Sequence, residues 1–444
     1  MVGGGYVGLV SGACFAEFGA DVTIVERDPR KLEALNAGRI PIYEPGLDTL
    51  VSSNVDAGRL TFGDDLGAAM SDADAVFIAV GTPTRRGDGH ADLTYVYAAA
   101  GEIARAARTD LLVVTKSTVP VGTGREVARI LRQTRPDLTF DVASNPEFLR
   151  EGNAIDDFMR PDRVIVGIDR SGPDKGARAQ ALIEQLYRPL MAIQAPIVLT
   201  DLETAELTKY AANAFLAMKV TFINEMADLC EKVGGNIHDV ARGMGLDQRI
   251  GSRFLSPGPG YGGSCFPKDT RALTAIAQDA GAPTRLVEAT VAINEARKTG
   301  MAERIIAQAG GSLEGKTVGI LGLTFKPDTD DMREAASLPI LTRIHETGAV
   351  LQVFDPEGMD AARALLPENV RYCDDALAAA QDADIVVVLT EWNMFRALDP
   401  ARLRSAMRGK AIADLRNIWS PDLLRGAGFG YRSIGRPSAR TLPG

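Results

Sequence analysis

Histidine is scarce in this chain: three in 444 residues, at His90, His238 and His345. No two of them stand at ligand spacing and no C-x-x-C is present, so no metal site is expected. The four cysteines, Cys14, Cys230, Cys265 and Cys373, are far apart. With no signal-peptide pattern at the start, they read as thiols of a reducing cytoplasm, not as a disulfide framework. A run of about 18 apolar residues is also lacking, so neither a membrane-spanning helix nor a membrane partner is expected. Positive charge is in deficit: Lys plus Arg number 49 against 58 for Asp plus Glu, a net charge of −9. Nucleic-acid-binding domains are usually basic, so no nucleic acid partner is expected, whereas an anionic small ligand needs only a local cluster of cations. With so few histidines, acid–base chemistry in an enzyme of this composition falls to Lys, Asp, Glu or water.

What is present is an ordinary globular composition, 45% hydrophobic and 24% charged, over a length that suits two or three domains. The chain opens on G-G-G-Y-V-G, Gly3 to Gly8, followed by an apolar helical stretch from Leu9 to Phe18 and a short strand, Asp21 to Glu26, that ends in an acid. This order is that of a dinucleotide-binding turn. Gly3 makes the tight turn, Gly5 lets a pyrophosphate approach, and Gly8 lets helix and strand pack; Tyr6 and Val7 lie between them. Glu26 stands where a carboxylate holds a ribose 2′-hydroxyl and repels a 2′-phosphate, which favours NAD over NADP. Lys31, one turn on, reaches toward the same ribose or a phosphate. Only Met1 and Val2 precede Gly3, short of a central strand. That reads as a shortened start or, if genuine, as a handicap to stability and cofactor affinity. Further buried strands follow at Ala75–Val80, Leu111–Thr115 and Phe140–Ala143, and each runs into a polar loop. Ligands of open α/β sheets bind at the carboxyl ends of strands, which places Thr82 and Thr118 toward the cofactor and Glu147 and Glu151 on the same edge.

Residues Thr200 to Val233 hold no internal Pro or Gly and read as one long helix, opened by a Thr200-x-x-Glu203 capping box and stopped by Gly234 and Gly235. Lys209 and Asn213 share one face of it at i, i+4. The stretch from Ser256 to Asp269, S-P-G-P-G-Y-G-G-S-C-F-P-K-D, packs four glycines and three prolines into fourteen residues. It is expected to be an irregular loop throughout. It carries a thiol (Cys265), an amine (Lys268) and a carboxylate (Asp269), and a thiol beside a cation is a candidate nucleophile. A second helical region spans Thr284 to about Ala309. From Lys316 the strand pattern starts again, and D-A-D-I-V-V-V from Asp382 echoes D-A-D-A-V-F-I from Asp72, but the glycine fingerprint is not repeated. Lys326 and Arg333 at the first strand end suit phosphate or a ribose edge of a different nucleotide, and Arg416 follows a later strand, Ala411-Ile-Ala-Asp-Leu. The tail from Gly435 is expected to fray. The fold class that results is α/β, with two Rossmann-like domains joined by a long central helix and a helical dimerisation domain. The segments are 1–199, 200–300 and 312–444.

The motifs G-G-G-Y-V-G, V-G-T-P-T, S-T-V-P-V-G, N-P-E-F-L-R-E-G, K-Y-A-A-N, D-Q-R-I-G, G-Y-G-G-S-C-F-P-K-D, F-K-P-D-T-D-D-M-R and D-L-R occur in that order. So arranged, the chain closely resembles the UDP-glucose/GDP-mannose dehydrogenase family over nearly its whole length, and the form around Cys265 is most similar to the UDP-glucose branch. Some UDP-N-acetylhexosamine relatives carry His where this chain has Ser264. The resemblance implies a four-electron oxidation of a primary alcohol to a carboxylate with two NAD, through a thiohemiacetal and a thioester on Cys265. It also implies that Lys209 and Asn213 stabilise the oxyanion, that Asp269 serves proton transfers with a water, and that Thr118 and Glu147 orient that water. By the same resemblance Glu151, Lys268 and Arg333 lie near NAD. Phe148, Leu149, Phe254, Tyr261, Gly262 and Lys326 line the UDP-sugar site, together with Glu147, Lys209, Asn213 and Arg416. Arg249 reaches the substrate of a neighbouring subunit, which implies a homodimer built on the long helix. Three other readings stand beside this one: the same chemistry on GDP-mannose or a UDP-N-acetylhexosamine, a two-electron hydroxyacid dehydrogenase, and a non-catalytic NAD and nucleotide-sugar sensor.

Overall fold

In a computed structural model, residues 1–85, 87, 89–171 and 174–437 are described. The chain divides into two compact units: Met1–Ala212 with Ala275–Ala282, and Asn213–Thr274 with Pro283–Gly444.

The first unit is built on β1 (Val22–Val25), β2 (Leu60–Gly63), β3 (Ala75–Ile78), β4 (Leu111–Thr115), β5 (Phe140–Ser144), β6 (Val164–Ile168) and β7 (Ile197–Thr200). All neighbouring pairs are parallel except β5 with β6. Every residue of β4 and β5 is buried, as expected of sheets covered by helices on both faces. Val2 bridges β1 at Val25 and β3 at Ile78, both in parallel sense. Its N–H donates to Phe77 O and its carbonyl accepts from Ala79 N, each at 2.8 Å. Two residues thus hold the place of the first strand, directly before the glycine turn. With Val2 counted as that strand, the order from β2 through β1 to β3, β4 and β5 is the doubly wound one. Helix α1 (Tyr6–Glu17) buries Leu9, Val10, Ala13, Cys14 and Phe15 against this sheet. Phe15 meets Phe77, Phe158 and Tyr187 at ring separations of 5.2, 5.0 and 5.4 Å. Helix α2 (Thr123–Thr134) follows β4.

The second unit repeats the plan with β8 (Thr317–Leu321), β9 (Val350–Phe354), β10 (Arg371–Tyr372), β11 (Ile385–Val388), β12 (Ala411–Asp414) and β13 (Gly430–Ser433). All are parallel in the order β10-β9-β8-β11-β12-β13. The repeated D-A-D pattern marks equivalent places: β3 and β11 each lie beside the first strand of their sheet.

The long helix is α3 (Leu202–Val233), 32 residues that leave the first unit and enter the second. The expected Thr200 cap is wrong by one residue. Thr200 is spent on the β6–β7 ladder opposite Gly167, and Asp201 caps instead, its Oδ1 accepting from Thr204 N at 2.7 Å. Glu203 does not reach back; it pairs with Arg125 at 2.7 Å. Gly234, at φ 83°, closes the helix as expected. Helix α4 (Phe266–Asp279) corrects the extent of the Cys265 loop, which ends at Cys265, not Asp269. Pro267 is tolerated because it falls in the first turn, where its missing N–H has no intrahelical partner to lose. Helix α5 (Arg285–Gln308) matches the second helical region. The expected fraying from Gly435 does not begin there: Gly435 N donates to Glu231 Oε1 at 2.8 Å and Arg436 to Trp419 O at 2.8 Å. Residues 438–444 of that tail lie outside the described residues.

Candidate active site

The glycine turn has the shape that its sequence predicts. Gly3 adopts φ 104°, and a Cβ there would lie 2.7 Å from Ala79 O. A Cβ on Gly8 would lie 1.9 Å from Gly3 O, so turn and helix touch backbone to backbone. In front of Gly5 nothing lies within 4 Å of such a carbon. An open approach to a helix N-terminus suits a pyrophosphate. Glu26 Oε2 accepts from Gly4 N at 3.0 Å, and its Oε1 from Arg27 N and Asp28 N at 2.7 and 2.8 Å. The carboxylate is therefore fixed at the turn, and these residues fit NAD. Val7 is half-buried on α1, and Lys31 is exposed on the short helix after β1. Thr82 and Thr118, from the ends of β3 and β4, are brought together: Thr82 Oγ1 donates to Thr118 O at 2.9 Å. The Tyr6 hydroxyl donates to Glu44. Glu44 also accepts from Gly152 N and Ala154 N at 2.6 and 2.7 Å, so it ties the Glu151 loop to α1.

Beyond β5 the loop carries Glu147 into a buried ion pair with Lys209 of α3 at 3.1 Å, the two side chains only 6% and 3% exposed. Glu147 Oε2 also accepts from Leu149 N at 2.6 Å. Burial alone would raise the Glu147 carboxyl; Lys209, the Leu149 N–H and Lys116 overcome it and hold it below the usual carboxylate range. The Phe148 ring lies under the Arg163 guanidinium at 3.6 Å, with Lys209 Nζ 5.2 Å from its centroid. Lys116 is fully buried. Its ammonium donates to Asn145 Oδ1 at 3.0 Å and to Tyr187 OH at 3.4 Å. Burial pulls it down to about 8; Glu147 opposes that and Lys209 adds to it.

In the second unit, Asn213 leaves α3 one turn after Lys209 and donates to Asp269 Oδ2 at 2.6 Å. Asp269 is fully buried, and Lys268 Nζ lies 2.8 Å from its other oxygen. Cys265 stands at the N-terminal end of α4, with its carbonyl accepting from Asp269 N at 2.8 Å. A helix N-terminus favours a thiolate. The loop before it is clamped from α3 and α5. Asn224 Oδ1 accepts from Gly258 N at 2.8 Å, Arg297 donates to Gly258 O at 2.8 Å, and Asn294 bonds both the N–H and the carbonyl of Tyr261. Tyr261 and Phe254 both pack on Phe266, at 6.0 and 5.9 Å. Phe254 has φ 65°, a strained conformation for a bulky residue of the kind that clusters at functional sites. A Cβ on Gly262 would lie 2.4 Å from Glu334 O, and one on Gly263 2.7 Å from the Phe325 ring, so the G-G pair is where the Cys265 loop meets the F-K-P-D loop. Lys326 lies over the Phe325 ring, and Arg333 forks onto Asp331 at 2.8 and 2.9 Å. Arg416 donates to Phe325 O and Leu389 O, and its Nη1 lies 3.1 Å from where a Gly258 Cβ would sit. Arg249 stands apart, 88% exposed and paired with Asp247.

The sequence reading missed Glu44, Lys116, Asn145, Tyr187 and Glu206, and the clamp residues Asn224, Asn294 and Arg297. Asn145 opens the motif N-P-E-F-L-R-E-G and was within reach, whereas Lys116 stands just before S-T-V-P-V-G and belongs to no motif. Tyr187 and Glu44 come from distant loops and carry no local signal.

Among the described residues there is no cluster of metal-ligating side chains and no helix long and apolar enough to cross a membrane. Three profiles of one family match in order: the NAD binding domain over residues 1–191, the central domain over 203–296 and the UDP binding domain over 319–421. The chain is 58% identical over 437 residues to a UDP-glucose 6-dehydrogenase of Rhizobium meliloti, covering 98% of this chain and 99% of that one. It is 45% identical to UDP-glucose 6-dehydrogenase TuaD of Bacillus subtilis, covering 99% and 93% of the two chains. A UDP-glucose dehydrogenase structure from Pyrobaculum islandicum superposes with a TM-score of 0.89 at 39% identity, covering 98% and 96%. With the glycine turn, the buried Lys209–Glu147 pair and the Cys265 helix terminus in place, the chain belongs to the UDP-glucose/GDP-mannose dehydrogenase family.

Proposed function

We propose that this chain oxidises UDP-glucose to UDP-glucuronate with two NAD, through covalent catalysis on Cys265. The observation that carries the substrate is the 58% identity, over nearly the full length of both chains, to a UDP-glucose 6-dehydrogenase. NAD, when bound, takes up one hydride in each of the two oxidations. Gly3, Gly5, Tyr6, Val7, Gly8, Glu26 and Thr82 would hold it, with Lys31, Thr118, Glu151, Lys268 and Arg333 at its edges.

The work of the protein's own groups follows from their chemistry. An aldehyde has no hydride to give until a nucleophile adds, and the Cys265 thiolate supplies that nucleophile. The resulting thiohemiacetal carries a C–H at the reacting carbon, and the thioester that succeeds it is open to water. Lys209 and Asn213, one turn apart on α3, are the donors for the developing oxyanion, each worth roughly 3–4 kcal/mol. Asp269 accepts from Asn213, and so holds the amide in place, and it is the base for the proton transfers. Glu147 and Thr118 orient the hydrolytic water. Phe148, Leu149, Phe254, Tyr261, Gly262, Lys326 and Arg416 form the UDP-sugar site. In this reading residues 1–199 bind NAD, 200–300 form the central domain and 312–444 bind the UDP-sugar.

The NADH count at completion tests it: two per UDP-glucose, and none from GDP-mannose or UDP-N-acetylglucosamine. Two from another sugar would keep the mechanism and change the substrate; one would remove the four-electron chemistry. Cys265→Ala should abolish turnover, and normal uronate formation by that variant would sink the covalent route. We also infer a cytoplasmic homodimer. Phe215, Phe222, Leu229 and Val233 are exposed on α3 at intervals of seven, seven and four residues. They form one apolar stripe about 27 Å long at 1.5 Å per residue. Sedimentation at micromolar concentration should give a dimer, and a monomer there would remove this reading and the cross-subunit role of Arg249.

A further inference from the structure

One buried carboxylate in the first unit has no part in the chemistry above. Glu206 of α3 is 2% exposed. Its Oε2 accepts from Gly122 N at 2.7 Å, and its Oε1 accepts from Gly124 N at 2.7 Å and Ser144 Oγ at 2.9 Å. Gly122 is the N-cap of α2 and makes no side-chain cap of its own. The Glu206 carboxylate therefore takes the place of a capping residue, reaching in from another helix to a site that favours an anion. The three segments it joins each carry a group of the proposed reaction. Gly122 closes the loop that begins at Thr118, Ser144 ends the strand that leads to Glu147, and Glu206 lies three residues before Lys209 on its own helix. The packing is tight: a Cβ on Gly124 would lie 2.9 Å from both Glu206 Oε1 and Ser144 Oγ. Burial pushes the Glu206 carboxyl up to about 7, against the pull of the Gly124 and Gly122 N–H groups and Ser144. The titratable groups that face it are Glu203 on its own helix and Tyr97 from the helix Thr94–Ala106.

We propose that Glu206 is a positioning residue, which rests on the functional reading above: its carboxylate clamps the Thr118 loop and the Glu147 strand end to the helix that carries Lys209. It touches neither substrate nor cofactor. A glutamine in its place keeps size and one acceptor, but turns an NH₂ donor toward one of the two backbone N–H groups. An alanine at Gly124 keeps the carboxylate and displaces it, while raising the helix propensity of α2 by removing a glycine.

The test is Glu206→Gln and Gly124→Ala beside the wild type. UDP-glucose turnover is measured together with hydrogen exchange of the 117–124 amides. Both variants should lose tenfold or more in kcat with KM for UDP-glucose within twofold. In Glu206→Gln the Gly122 and Gly124 amides should exchange at least tenfold faster. Wild-type kcat in both variants would overturn the clamp, and so would a loss of kcat that only tracks the fraction of unfolded protein by circular dichroism. If Glu206→Gln does not fold, Gly124→Ala decides alone. A wild type that forms no NADH would instead refute the functional reading. The exchange rates would still decide whether Glu206 holds the loop.

Discussion

Lys209→Met isolates the pair on which the first unit's half of the proposed chemistry depends. Methionine is close in length and apolar, so little packing is lost. What remains is Glu147, buried and without its ion-pair partner at 3.1 Å. Removing one member of a buried pair generally costs about 3–5 kcal/mol, because the other charge stays uncompensated. Here the Leu149 N–H at 2.6 Å and the Lys116 ammonium still favour the carboxylate, which puts the loss near the lower end, about 3 kcal/mol. The sign of the pH dependence should reverse. In the wild type the folded-state pKa of Glu147 lies below its unfolded value. Its stability contribution is therefore present above the unfolded pKa and lost as pH falls through the folded one. Without Lys209, burial dominates, the folded pKa rises above the unfolded value, and stability falls as pH rises through that window. Both tryptophans, Trp392 and Trp419, belong to the second unit, so their fluorescence would miss the effect. Native-state hydrogen exchange of β5 and of the first two turns of α3, at several pH values near 5, reads it directly. The double variant Glu147→Gln, Lys209→Met should recover most of the lost stability while turnover stays down by about 10²–10³. A loss under about 1 kcal/mol in the single variant, or a double variant no more stable than the single, would refute the picture of a charge stranded by its partner's removal.

The roles of Gly5 and Gly8 in the glycine turn separate cleanly by substitution. Gly5→Ala should fold with unchanged stability, since nothing lies within 4 Å of the new carbon, yet lose NAD affinity at least tenfold by titration. Gly8→Ala should lose stability itself, because its Cβ falls 1.9 Å from Gly3 O; equal melting curves for the two variants would contradict this. Glu26, fixed by three backbone donors, should make kcat/KM for NAD exceed that for NADP by more than a hundredfold. Like charges about 4 Å apart repel by about 4 kcal/mol at an effective dielectric near 20. Glu26→Gln should remove most of that preference, and equal use of both cofactors by the wild type would end the argument.

The parts of this site that were legible in the sequence are those whose constraint is local. Gly8 is dictated by a backbone clash with Gly3 in the same motif, and Gly3 by its own φ of 104° in the tight turn, so the motif itself states the geometry. Lys209 and Asn213 follow from helical periodicity alone. The errors are also local, and arise where two rules compete for one residue. Thr200 could cap a helix or end a strand, and the β6–β7 ladder took it, which left the cap to Asp201. Pro267 looked like a helix breaker and is instead a first-turn residue, which turns Cys265 from a loop thiol into one at a helix terminus.

Glu206, Lys116 and Tyr187 were invisible for a different reason. A glutamate near the start of a long helix is normally a solvated residue, and only the sheet topology, which sets Gly122 and Ser144 against α3, makes it a buried acceptor. Lys116 and Glu206 also share a property that periodicity cannot report: each is a charge held inside the fold, with its pKa moved toward neutrality by burial. Maintaining such groups opposes folding, since each disfavours its charged form by an amount set by its shift, about 1.4 kcal/mol per pKa unit. A purely structural core has no use for that expense, and apolar residues of the same size would pack as well. Their placement beside Glu147 and beneath the Thr118 loop therefore argues that the polar interior of the first unit is shaped by the reaction, while its stability rests on the apolar faces of α1 and the sheet.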